Sequence, residues 1–318
     1  MGEDARVMAI LEREEIKNFT KDIRLMSEKE LKKHFSFNTK KKLNATKLIK
    51  NLIWQGYTWI KQGKMEPIEG NIRTFWYISI KSVLSRLGLK VSGRCYTEKV
   101  YDTFVEMITV HNLFRYADFG FLDGRENMRT IGKKNGNLIL FVEKDGTFSL
   151  VRKIAEKHDA TGISLKGFPS YLTTEYLVKD MAEKGLLREP VHLFGAVDYD
   201  PSGYWIEQEF ARQLRNYKVE IGSTHNLVRP DDLPKELLEI CKYKLKPGSK
   251  TRNWMRETGG IDGEPFGLEL DALGGKRIRD AYDRALSPFL DQPLQRSTID
   301  KEREEFFEFL TRPATCTI

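Results

Sequence analysis

Two apolar runs in the second half of this sequence end in carboxylates. NLILFVE, residues 137–143, delivers Glu143, and VHLFGAVD, residues 191–198, delivers Asp198, with Asp200 two positions on. Short runs rich in Val, Ile, Leu and Phe read as buried strands. In an open parallel sheet the ligand crevice lies outside the carboxyl ends of the strands, so the three carboxylates are expected to gather there. Such a set suits a hard divalent cation, Mg2+, which takes carboxylate oxygens and keeps several waters. A cation of that kind orients phosphoryl oxygens and neutralises charge that develops during displacement. A single acid after a strand is commonly a helix N-cap or a turn residue, and Asp200-Pro201-Ser202-Gly203 has the composition of a turn. Glu followed by Asp-x-Asp within one α/β stretch is more specific than either part alone.

A second constellation lies in the first half. IRTFWYISIKSVLSRLG, residues 72–88, reads as a helix in which Ile72, Trp76, Ile80, Val83 and Leu87 share an apolar face and Gly88 is the terminator. Arg73, Tyr77 and Lys81 follow at i, i+4 and i+8 along the border of that face. A phenol with an ordinary pKa of about 10 is a poor nucleophile at neutral pH unless positive charge favours the phenolate. The same cations would hold an attacked phosphate and stabilise its transition-state charge. The plainer alternative is that Tyr77, one of 12 tyrosines, sits at a core edge with its hydroxyl in water. Tyr57, Tyr96 and Tyr101 lack an arginine four residues before them and are read as structural.

The elements that carry these residues fall into successive blocks. Residues 1–40 read as an N-terminal arm of one or two charged helices. Residues 41–132 alternate helical patterns with short loops at Gly63-Lys64 and Gly70-Asn71, closing in the polar stretch DGRENMRTIGKKNGN, the best candidate linker. Residues 133–318 alternate strands, with VEIG (219–222) as a third, and helices such as LTTEYLVKDMAEKGLL, which indicates an α/β domain with a mainly parallel sheet. A chain of 318 residues has room for two cores, and 40% hydrophobic with 31% charged residues excludes a disordered or membrane-embedded chain. The net charge of +7 is unevenly spread. Residues 40–99 hold 13 basic and 3 acidic side chains, whereas residues 135–318 hold 27 and 30, so a polyanion is the first partner to consider for the basic block.

Three widely spaced cysteines, Cys95, Cys241 and Cys316, form neither a disulfide framework nor a zinc site, and no apolar run reaches membrane-spanning length. A reduced cytosol is the expected setting. The five histidines, His34, His111, His158, His192 and His225, are dispersed and fit no zinc-ligand spacing. No nucleotide-binding loop is present, so ATP hydrolysis is not expected of this chain. The KKK run at 40–42 reads as a DNA-contacting arm or as a solvated charge run.

Glu after one strand and Asp-x-Asp after a later one resembles the Toprim domain of topoisomerases, primases and some nucleases. The strings VEKDGTF, AVDYDPSGYWI and LELDAL are similar to their counterparts in topoisomerase VI A subunits, a family that includes the meiotic double-strand-break transesterases. The resemblance implies a winged-helix (CAP-like) domain carrying a nucleophilic tyrosine, followed by the Toprim domain. The family's R-x-x-x-Y spacing falls on Arg73 and Tyr77, with Trp76 as the aromatic neighbour, and Lys81 becomes a DNA contact. Glu143, Asp198 and Asp200 become the Mg2+ ligands. The implied activity is cleavage of double-stranded DNA through a 5'-phosphotyrosyl intermediate, in a homodimer whose sites each combine the tyrosine of one protomer with the acids of the other. A GHKL-type ATPase B subunit is the implied partner for strand passage.

Two departures stand out. Where the family carries G-x-G-Y-P-D followed by an arginine, this chain has SLKGFPSYLTTEYL, with Ser170 in place of the aspartate and no arginine before Arg188. Only 76 residues precede Tyr77, fewer than in full A subunits, which leaves a reduced docking region or an orphan member as expectations. Two other readings stay open: an inactive or weakly active duplex-binding paralogue, and a Toprim nuclease with water as its nucleophile.

Overall fold

The structure, a computed structural model, describes residues 3–37, 42–89, 94–290 and 300–313; Lys40, Lys41 and Cys316 lie outside the described residues. The chain divides into two units, Met1–Leu122 with Arg312–Ile318, and Asp123–Thr311.

The first unit is built of helices: α1 (Glu3–Arg13), α2 (Glu28–Phe35), α3 (Ala45–Lys61), α4 (Ile72–Phe75), α5 (Ser82–Arg86) and α6 (Arg94–Val105). Among its described residues the extended pairings are isolated bridges, Ser36 with Leu43 and Gly70 with Phe121. Ser27 and Glu30 close a reciprocal capping box at the start of α2. The N-terminal arm belongs to this core. Leu11, Ile16, Ile23, Leu31 and Phe35 are buried. Two amides of α3 satisfy the arm's backbone, Asn51 Oδ1 accepting from Lys17 N at 2.8 Å and Gln55 Oε1 from Ile23 N at 2.9 Å. A buried amide of this kind is kept because an unpaired backbone group would cost about 1–3 kcal/mol.

Between α4 and α5 lies a π-helical turn, Trp76–Lys81, so residues 72–86 run as one helix with an extra residue in the middle. Phe75 is fully buried and packs edge-on against Phe104 and Phe119. A Cβ at Gly56 on α3 would stand 2.9 Å from Phe75 Cε2, so only glycine lets the two helices approach this closely. Gly88, at φ 72°, closes the helix in the left-handed conformation, as the sequence indicates.

The second unit is α/β. Its five-stranded sheet contains β1 (Arg129–Thr130), β2 (Asn135–Val142), β3 (Ala160–Ser164), β4 (Val191–Ala196) and β5 (Ile221–Asn226), in the order β1-β3-β2-β4-β5. All pairs are parallel except β1 with β3. The strands alternate with α7 (Asp145–His158), α8 (Tyr171–Glu183) and α9 (Pro201–Asn216). Further along come α10 (Lys235–Cys241), α11 (Ser249–Thr258), α12 (Gly274–Leu290) and α13 (Lys301–Thr311), with a small antiparallel hairpin of β6 (Lys242–Lys244) and β7 (Phe266–Leu268). Leu138, Leu140, Val142, Phe148, Val151, Phe194 and Tyr282 form the heart of the core.

The stretch DGRENMRTIGKKNGN, read from sequence as a linker, lies in the second unit. It contains β1, and ion pairs fix it: Arg129 with Asp123 and Asp180, and Arg125 with Asp145. The unit boundary therefore falls ten residues before the sequence-based one at 132/133. No helix among the described residues is long and apolar enough to cross a membrane.

Glu207 on α9 is buried, and burial pushes its carboxyl up to about 8, against the opposing influence of a hydrogen bond with Asn226. Between the ordinary 4.5 and about 8, the folded protein holds a proton that the unfolded chain has lost. Stability therefore falls as pH rises through that window, by about 1.4 kcal/mol for each pH unit crossed, and levels off above it. Glu207→Gln is expected to flatten this dependence and to raise the melting temperature at pH 9 more than at pH 5. Thermal denaturation at the two pH values checks it.

Candidate functional site

The sheet places its acids by topology. From β2 the chain steps to β3 on one side, then returns across β2 to β4 and moves outward to β5. The direction reverses between β2 and β4, and in open α/β sheets ligands bind beyond the strand ends at such a switch point. Val142 of β2 pairs with Ala196 of β4, so Glu143 and the Val197–Asp200 segment emerge side by side at that end.

Glu143 is partly buried, and its Oε2 is a buried oxygen with no hydrogen-bond partner. Burial, then the charges of Asp198 and Asp200, push its carboxyl above the ordinary range. Its backbone is tied to the segment SLKGFPSYLTTEYL, because Gly167 N donates to Glu143 O at 2.9 Å. Lys166 and Gly167 form a left-handed pair there, with φ of 54° and 82°. The segment in which Ser170 stands for an aspartate thus borders the acids.

Asp198 and Asp200 are held from the C-terminal part of the unit. Asp198 Oδ1 accepts from Leu270 N at 2.8 Å, within the LELDAL string. Tyr199 and Leu268 exchange backbone hydrogen bonds at 2.8 and 3.0 Å, which joins the loop after β4 to β7. Asp200 caps α9 by accepting from Gly203 N at 2.8 Å, while its other oxygen accepts from the Tyr243 hydroxyl at 2.9 Å. A Cβ at Gly203 would lie 2.0 Å from Asp198 O, so the tight return from Asp198 into α9 requires glycine.

Sequence reading left three participants out. Lys144 Nζ lies 3.3 Å from Asp198 and 3.4 Å from Asp271, and Tyr243 braces Asp200. Lys144 directly follows Glu143, and Asp271 lies inside LELDAL, so the signal was adjacency to motifs already singled out. Tyr243, on a three-residue strand, gave none.

The three carboxylates are of the type a hard divalent cation takes, although among the described residues they do not bring one oxygen each within 4.8 Å of the others. Carboxylates of Glu143, Asp198 and Asp200 are the hard oxygen donors that Mg2+ takes, and the orphaned buried oxygen of Glu143 would gain a partner.

In the first unit, Tyr77 projects from the π-helical turn with its side chain half-exposed. The Arg73 guanidinium lies 5.9 Å from the ring centroid and Lys81 Nζ lies 4.7 Å from it. The Arg73 guanidinium beside the hydroxyl, with a smaller contribution from Lys81, holds the phenol below its ordinary value. Tyr57 is buried against Phe114 and Trp54. Burial pushes the Tyr101 phenol up, the opposite of what a nucleophile needs.

Arg73→Gln is expected to move the Tyr77 titration toward higher pH, because the cation that favours the phenolate is gone. Lys81→Gln should do the same to a smaller extent. Carbon-13 shifts of labelled tyrosine, followed with pH, check both.

No protein-family model matches this chain, and no curated protein matches it.

Proposed function

We propose that this protein cleaves double-stranded DNA by tyrosine transesterification, in the manner of topoisomerase VI A subunits. The observation that carries the reading is one chain combining an exposed tyrosine flanked by two cations with three carboxylates at the switch point of a parallel sheet. On this reading the helical unit is the winged-helix DNA-binding domain, with no wing strand among its described residues, and the α/β unit is the Toprim domain.

Tyr77 Oη attacks a backbone phosphorus as its proton passes to solvent. A bond forms between the phenolic oxygen and phosphorus, and the bond to the 3'-oxygen breaks. The products are a 5'-phosphotyrosyl end and a 3'-hydroxyl. Arg73 and Lys81 hold the phosphate and favour the phenolate. Glu143, Asp198 and Asp200 would hold Mg2+, which when bound neutralises charge on the phosphate and on the leaving oxygen. The hydrogen bonds from Leu270 N and Tyr243 fix the orientation of Asp198 and Asp200. A covalent link conserves the phosphodiester bond energy, so religation needs no cofactor. A double-strand break needs two such sites, hence a homodimer, and strand passage needs a separate ATPase subunit.

Incubation of labelled duplex with protein and Mg2+, followed by denaturation, tests the reading. Strands that enter the gel only after protease support it. Free cut ends without linked protein point instead to a nuclease using water, and uncut but retained duplex points to a binding paralogue.

A further inference from the structure

A second cluster of metal-type ligands lies in the first unit, and it is independent of the proposed DNA-cleavage site. Glu106 opens a π-helical turn, Glu106–Val110, that continues α6. His111 N donates to Glu106 O at 3.2 Å, an i to i+5 bond. In a regular α-helix, residues five apart point about 140° away from each other. The π-turn brings them to one side, and such turns recur at functional sites. Glu14, just beyond α1, completes the group, and one ligand atom from each of Glu14, Glu106 and His111 lies within 4.8 Å of the others.

His111 supplies the observation that points to a ligand. It is 4% exposed, its Nε2 has no hydrogen-bond partner, and that nitrogen lies 3.6 Å from both Glu14 Oε1 and Glu106 Oε1. Two ligands about 2.1 Å from a shared tetrahedral ion stand roughly 3.4 Å apart, so the spacing is that of a coordination sphere.

We propose that Glu14, Glu106 and His111 form a binding site for a divalent transition-metal ion of the Zn2+ class. One imidazole with two carboxylates selects such an ion over Mg2+, which prefers an all-oxygen shell. Two resident cations serve the carboxylates when no metal is bound. Lys50 Nζ lies 2.7 Å from Glu14 Oε2 and 2.9 Å from Glu106 Oε1, and Arg13 Nε lies 3.1 Å from Glu14 Oε1. Arg13 Nη2 also lies 3.3 Å from His111 Nδ1. Arginine only donates, so this contact leaves the ring proton on Nε2; metal binding at Nε2 moves the proton to Nδ1 and releases Arg13. The Arg13 side chain is 65% exposed, and an ion pair so wet is weakly held. Lys50 can stay on Glu14 Oε2 while Oε1 turns to the metal. The metal thus ties the segment just beyond α1 to the turn that continues α6.

The test is a Co2+ titration of the full-length chain, read by visible absorption with Zn2+ as competitor. Glu143→Gln and Asp198→Asn are present throughout to silence the carboxylate set of the other unit. One equivalent is expected to bind. His111→Gln and Glu106→Gln should weaken it about tenfold or more, and Arg13→Gln should tighten it several-fold by removing a competing cation. Failure of the parent chain to bind overturns the proposal, as does equal affinity with His111→Gln while circular dichroism is unchanged. Should His111→Gln not fold, Glu106→Gln, at a half-exposed position, decides in its place.

Discussion

Tyr77→Phe is expected to lower formation of a covalent protein–DNA adduct by at least about a thousandfold while leaving duplex binding unchanged. The substitution removes one oxygen from a half-exposed ring and leaves the packing of its helix intact, since Trp76, Ile80 and Phe75 supply the buried contacts. Arg73 and Lys81 keep their charges, so the phosphate-holding capacity stays. Loss of the adduct therefore isolates the nucleophile. Filter binding measures retention and a denaturing gel measures the adduct. Cleavage at the parent rate in the Phe variant would show that Tyr77 is a core-edge tyrosine after all and that water is the nucleophile.

The next largest effect is expected from Asp198→Asn, about a hundredfold or more in Mg2+-dependent cleavage. Asparagine keeps an oxygen to accept from Leu270 N, so the loop that Asp198 organises survives. What disappears is the negative charge that a divalent cation needs and that Lys144 contacts at 3.3 Å. Asp198→Ala would confound the two effects, because an unpaired Leu270 amide costs about 1–3 kcal/mol by itself. Cleavage as a function of Mg2+ concentration, with thermal denaturation as the control for folding, separates charge from structure. An unchanged cleavage rate would remove Asp198 from the metal-binding set.

The parts that were legible in the sequence share a physical cause. β2 and β4 are buried on both faces, so they read as continuous apolar runs whose ends mark Glu143 and Asp198. β3 was not legible because ATGIS has no such run: Thr161 is buried yet satisfies its hydroxyl on Gly136 O at 2.6 Å, and Gly162 packs under Ala155. The strand read at 219–222 starts later, at Ile221, and runs to Asn226 with polar residues at the sheet edge. The helix carrying Tyr77 was legible, but its face was only partly so. A regular helix would bury Leu87, whereas the π-turn adds a residue, turns the following positions, and buries Leu84 while Leu87 is only partly buried. Lys144, Tyr243 and Leu270 reach Asp198 and Asp200 across 43 to 72 residues of chain, and periodicity carries no record of such contacts. His111 and Glu106 escaped for the reason that placed them together: five residues is not a helical spacing until the turn widens.

A phosphotyrosyl bond at Tyr77 is measured most directly by end-mapping of the cleavage product. Duplex labelled at either the 3' or the 5' end of each strand is incubated with protein and Mg2+, denatured, and run with and without protease. If Tyr77 transesterifies, the 3'-labelled fragments stay bound to protein until protease is added, the 5'-labelled fragments run free with a 3'-hydroxyl, and peptide mapping places the nucleotide on Tyr77. Free 5'-phosphates on every fragment, or a linkage to any other residue, would contradict it.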